Sequence, residues 1–314
     1  MSLSDTNRWY IKSFAGFSGW LGALFFISFF TLMFGDFLAK NLMVLCMIGV
    51  ILIGISYIIL TLKHTVFTQQ FALANIITGE ALVIWVIIDT LKFDNSFWLI
   101  GLFLAILMWV IPCYMHRFLS AIGMSIAFVA ESYHLDIMEW FLAIWSSISF
   151  MLLIYRYRLQ DTSKVEAISF GMLFFMIGIS LEFYVPFYKH SIYEYTLLNI
   201  SFLTVLIWVA FNIIQQNHKL HDSKVWGFVI LGILIISVIS FWVEFVVLGL
   251  LLLIIGFWQN DKRLILWGIT ISFIYIIRYY YFLGDSLLDK AQILILSSIA
   301  FTLTYLILKK AQNA

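Results

Sequence analysis

Apolar runs of about 17 to 25 residues recur along this chain from one end to the other, broken by polar connections of only a few residues. Runs of that length match the reach of a helix across a hydrocarbon layer of about 30 Å, at about 1.5 Å per residue. Twelve helical spans are predicted, at about 13–34, 42–62, 67–89, 96–112, 117–133, 137–155, 165–187, 193–215, 225–240, 243–258, 264–282 and 290–308. The ninth and tenth run together without a polar break, and a single helix of that length would overshoot the layer. The chain is expected to fold back between Ser240 and Glu244. The predicted fold class is therefore all-α, a polytopic integral membrane protein forming a single transmembrane domain over residues 1–314.

Composition narrows the class further. Of 314 residues, 63% are hydrophobic and only 11% charged, with a mean hydropathy of +1.03. Soluble domains are roughly a quarter charged, so a water-soluble fold is excluded. The first run is too long and too poorly terminated to read as a cleaved leader. A net charge of +1 offers no basic face for nucleic acid, and two isolated cysteines, Cys46 and Cys113, form no metal or disulfide pattern.

Charge placement orients the spans, because basic loops are retained in the cytoplasm. With the amino terminus inside, only Lys40, Lys92, Lys189, Arg278 and Lys290 of the 18 basic residues fall in the outer half. An even number of spans then puts both termini in the cytoplasm. Acidic residues show the opposite bias, with twelve of 17 in the outer half. Acids need not avoid that side; alternatively they form an outward vestibule that attracts cations.

Ionisable groups at membrane depth are costly and mark candidate sites. Glu80 and Arg278 each lie about 20 Å above the cytoplasmic start of their spans, so they occupy one layer and would neutralise one another if the third and eleventh helices are neighbours. Along the third span Thr68, Gln69, Ala72, Asn75, Gly79 and Glu80 form a small and polar arc. The fifth span carries a similar face, Ser120, Gly123, Ala127, Ala130 and Glu131. Both faces suit close helix packing or a substrate or ion path lined by Gln69, Asn75, Glu80 and Glu131. Glu182, near Tyr184 and Pro186, is a further candidate. Ala15, Gly19 and Ala23 recur at steps of four on the first span, a surface for a closely approaching helix.

Catalytic signatures are absent: there is no glycine-rich phosphate loop, no HExxH and no CxxC, and no cofactor is implied. The six histidines are scattered, and His218 and His221 fall in a polar loop.

At the carboxy-terminal end, RYYYFLGDSLLDKAQILILSSIAFTLTYLILKK resembles the signature of a bacterial membrane family known as domain of unknown function 4401, in which a tyrosine-rich helix end leads through a short connection into a last span. The opening WYIKSFAGFSGWLGALFF resembles that family's aromatic pair and Gly-x-x-x-Trp helix, and the likeness covers essentially the whole chain. Ala291 departs from the small hydroxyl residue expected after Lys290. The resemblance implies a bacterial inner-membrane protein, organised like the family numbered 2157 and found beside membrane partners with a GDYxxLxY motif. It implies no activity and carries over no catalytic residues. Two functions are therefore expected in competition. One is a subunit or scaffold of a membrane complex, partnered by another membrane protein; the other is a transporter or permease using Glu80 and Arg278.

Overall fold

In the computed structural model the described residues are 9–62, 65–92, 96–156, 162–182, 196–216, 227, 229–234, 236–237 and 246–282, with single positions at 288, 291–292 and 295. Ten helices have described bounds: α1 Trp9–Lys40, α2 Leu42–Thr61, α3 Val66–Leu91, α4 Ser96–Val110, α5 Tyr114–His134, α6 Met138–Tyr155, α7 Thr162–Glu182, α8 Thr196–Gln216, α9 Val246–Gln259 and α10 Lys262–Phe282. No strand occurs among the described residues. These helices follow ten of the apolar runs in order. The ninth run is helical over 229–234, and the fold-back after Ser240 and most of the twelfth run lie outside the described residues.

The chain divides into two compact units, Met1–Ser201 and Phe202–Ala314. In the first, α3 packs against α1 and α2, and α5 packs against α4 and α7. The α2–α3 crossing is made by two glycines. A Cβ on Gly49 would lie 2.8 Å from the carbonyl oxygen of Gly79, and one on Gly79 would lie 2.6 Å from that of Gly49. The two backbones touch there, and only residues without a side chain allow it. On α1, a Cβ added to Gly19 would meet Phe67 O at 2.6 Å, while Ala23 is fully buried and Ala15 half-buried. Beside that contact Trp20 Nε1 donates to Gln70 Oε1 at 2.8 Å.

Ile100, Leu104 and Met108 of α4, Ala121, Met124, Ala127 and Phe128 of α5, and Ile168 and Met172 of α7 form one apolar core. Ile84, Ile87 and Ile88 of α3 close one side of it and Trp145 of α6 another, the indole lying edge-on to Phe128 at 5.7 Å. Lipid is as apolar as this core, so close packing and hydrogen bonds rather than transfer from water hold such helices together. Ser146 Oγ and Ser201 Oγ, 2.8 Å apart, add one such bond between α6 and α8.

Local chemistry sets the helix ends. Thr65 precedes α3 and its hydroxyl accepts from Thr68 N. After α5, Asp136 turns left-handed at φ 55°, Asp136 N reaches Tyr133 O and Ile137 N reaches Ser132 O, the paired bonds of a Schellman stop. Asn260 does the same after α9, with Asp261 N on Gly256 O at 2.9 Å. In this second unit Asp261 then caps α10 by accepting from Arg263 N at 3.0 Å, so α9 and α10 form a hairpin with almost no loop. Its helices approach closely: a Cβ on Gly268 would meet Leu253 N at 2.7 Å.

The shortest of the first-unit helices is informative. Fifteen residues take α4 only about 22 Å, less than a hydrocarbon layer. The sequence pattern extended this span to 112. The helix instead ends at Val110, because Pro112 disfavours helical geometry at Ile111. The α4–α5 turn is thereby lifted to the level of the middle of α3, and α5 starts at Tyr114 rather than near 117.

Candidate functional site: a buried carboxylate and imidazole

That shift brings two residues together that the sequence places in different contexts. Glu80 lies 11 residues before the carboxy-terminal end of α3, about 16 Å along the helix. His116, on the first turn of α5, lies about 20 Å below the start of α4, so both occupy one layer. There His116 Nε2 and Glu80 Oε1 are 2.6 Å apart, with the imidazole fully buried and the carboxylate side chain 10% exposed. Ser120 Oγ, one turn further along α5, stands 3.2 Å from the same Nε2. His116 Nδ1 is buried without a hydrogen-bond partner among the described residues.

Electrostatics at this point favour a carboxylate. The first turn of α5 presents the positive end of its helix dipole towards Glu80. Arg117, buried beside His116 in sequence, sends Nε to Met108 O at 3.3 Å, joining the start of α5 to the end of α4 where carbonyls are left over.

A hydroxyl, an imidazole and a carboxylate invite comparison with a hydrolytic triad, and the geometry excludes it. In a triad the carboxylate orients one ring nitrogen while the other activates the hydroxyl. Here Glu80 and Ser120 converge on the same nitrogen, leaving no free base for Ser120. Nor do the described residues contain a group of three or more His, Cys, Asp or Glu placed to hold a metal ion. What the arrangement can do is hold and exchange a proton.

The remaining predicted site residues are distributed as follows. Asn75 is buried, and its Nδ2 donates to Phe71 O at 2.9 Å. It precedes Glu80 by five residues, roughly 140° around the helix, so the polar arc of α3 is divided between faces. Gly79 meets α2 and Glu80 meets α5. Gln69 is exposed on the first turn of α3, apart from the buried pair. Glu131 is 3% exposed near the carboxy-terminal end of α5, its Oε2 without a partner among the described residues. The side chains of Glu182 and Arg278 lie outside the described residues; the described partner of Glu80 is His116.

His116 is the residue that sequence reasoning missed. Its signal was the continuation of the fifth span's small and polar stripe one turn towards the amino terminus, from Ser120 back to His116.

Five described helical stretches are long and apolar enough to cross a bilayer: Leu42–Thr61, Val66–Leu91, Met138–Tyr155, Thr162–Ser180 and Leu197–Gln216. With five such stretches and no strand among the described residues, the molecule is a helical membrane protein. The chain belongs to the family described as Domain of unknown function (DUF4401), whose model matches residues 8–311. No curated protein and no solved structure matches it.

Proposed function

We propose that this protein is a multi-pass carrier of the bacterial inner membrane, with twelve spans and both termini cytoplasmic, and that the Glu80–His116–Ser120 cluster is its ion- or substrate-handling centre. One observation carries this reading: a carboxylate and an imidazole, both titratable, are held 2.6 Å apart and buried between α3 and α5. Such groups are expensive at membrane depth and are retained where they move or bind something. On this reading the near-complete burial of the pair is an occluded state. Glu131, buried on α5 about four turns beyond His116, is a further polar position on the same helix.

The test is electrical. Proteoliposomes on a solid-supported membrane, challenged with steps in proton, sodium and potassium concentration, are expected to give a transient current that Glu80→Gln abolishes. Currents no larger than those of protein-free liposomes under every step would refute the carrier.

A second reading, a subunit of a membrane complex bound to another membrane protein, is favoured by the full burial of His116, which suits a fixed tie between α3 and α5. Mild-detergent purification that repeatedly brings down one stoichiometric membrane partner would support it; a stable lone chain would count against it.

A further inference from the structure

Resting on the carrier reading, we propose that the ion this centre handles is the proton, and that it is taken up on Glu80 Oε2 while His116 Nε2–H stays bonded to Oε1. The geometry first argues against a metal cation shared by the two residues. With Nε2 and Oε1 only 2.6 Å apart, no ion fits between them, since bonds of about 2.0 Å or more to each atom at a right angle or wider would hold them about 2.8 Å or more apart.

The position of the resident proton follows from His116 Nδ1. That nitrogen is buried with no partner among the described residues. A proton there would be a buried donor without an acceptor, costlier than a bare lone pair. The imidazole is therefore neutral with its hydrogen on Nε2, donating to Oε1, and Glu80 is ionised. A second proton arriving at Nδ1 would create that same orphan donor. A proton between Nε2 and Oε1 would have to displace the one already there. Oε2 is the acceptor left, and what exposure the pair has belongs to the Glu80 side chain. The step balances simply: the pair plus one proton from water changes from −1 to neutral, with no bond broken but that to the donor water.

Other ionisable groups around the pair are few. The described residues of α4 carry none. From α2 there are Cys46 and Tyr57, and from α3 itself Asp89. On α5, Arg117 supplies a fixed positive charge next to His116, with Tyr114 two residues away and Glu131, Tyr133 and His134 about four turns off. At the end of α6 stands Arg156, over the ring of Phe170, with Tyr155 before it and Glu139 at the far end, and α7 brings Lys164 and Glu166 on its first two turns. On α1 the side chains of Lys12, Asp36 and Lys40 lie outside the described residues. None of these described groups is bonded to the pair as a second carboxylate, and the remaining oxygen Oε2 takes up one proton.

Infrared difference spectra of the full chain in nanodiscs, recorded as the medium is stepped from about pH 8 to about pH 5, test this. The unmodified chain is expected to gain the carbonyl-stretch band of a protonated carboxylic acid, and Glu80→Gln is expected to lose it. His116→Gln should keep the band, because the accepting oxygen Oε2 belongs to Glu80. Sodium added at constant pH should change nothing. A sodium-dependent carboxylate signal would overturn the proton assignment and leave a carrier standing. Imidazolium bands without a carboxyl band, or no Glu80-dependent band at all, would also overturn it. A Glu80 carboxyl band in a protein that passes no current would confirm proton binding and refute the carrier.

Discussion

Glu80 and His116 stand 36 positions apart in the chain, yet Glu80 Oε1 and His116 Nε2 are 2.6 Å from one another between α3 and α5. Each is the other's main polar partner, since among the described residues only Ser120 makes a further contact to that ring nitrogen. Losing either should cost more than losing both, because a lone buried ionisable group has nothing to compensate its desolvation. Glu80→Ala and His116→Ala are each expected to lower stability by about 3 kcal/mol. Glu80→Ala combined with His116→Ala should cost clearly less than the sum. Thermal unfolding of the four proteins in detergent measures this coupling, and strict additivity would dissolve the pair.

The α2–α3 crossing depends on two residues without side chains. Gly79→Leu or Gly49→Val forces atoms onto a facing carbonyl less than 3 Å away, and the helices must separate. Either variant is expected to fail to accumulate in membranes or to unfold many degrees earlier. Gly54, on the same helix as Gly49, has nothing within 4 Å of a Cβ, so Gly54→Ala should be harmless or slightly stabilising. Yield and melting temperature of the three variants decide it.

Glu131 behaves differently from Glu80. Its Oε2 is buried without a partner among the described residues, so removing its capacity for charge removes a burden. Glu131→Gln is expected to match or exceed the unmodified chain in thermal stability. A loss as large as that of Glu80→Ala would show that Glu131 is bonded in a way this geometry does not contain.

In the second unit, the α9–α10 hairpin rests on Asn260 and Asp261. Asp261→Ala removes the cap of α10 and the contacts to Arg263 Nε and its terminal nitrogen, both 3.3 Å, and should cost about 1 kcal/mol. Asn260→Gly should be tolerated, because the residue turns at φ 54°, whereas Asn260→Val should destabilise. Equal effects of glycine and valine at 260 would contradict the left-handed turn.

Much of the fold was legible in the sequence for a simple physical reason. A bilayer fixes helix length and polarity, so apolar runs alone located α2, α3, α6 and α8 to within a few residues. Boundaries failed where local chemistry overrode hydropathy. At Pro112 the run continues but the helix cannot, and α5, threaded through the middle of the first unit, is polar enough on its buried face to look like a span that starts late. That one displacement hid the site. With α5 begun near 117, His116 falls in a loop and Glu80 lacks a neighbour, which made Arg278 the natural partner to name. Periodicity on α3 singled out Glu80 correctly as a group that must face protein, but it could not say which helix it faced. Asn75, Gly79 and Glu80 share an arc in projection, and only the packing of α2 on one side and α5 on the other separates them.

Exchanging the two residues gives the most direct test of whether Glu80 and His116 act as a bonded pair. Glu80→His combined with His116→Glu keeps both chemical groups and reverses their helices, and its melting temperature and proteoliposome current can be set beside those of each single exchange. The pair predicts that both single exchanges lose stability and current and that the double exchange recovers most of each. A double exchange as damaged as the worse single one would contradict it.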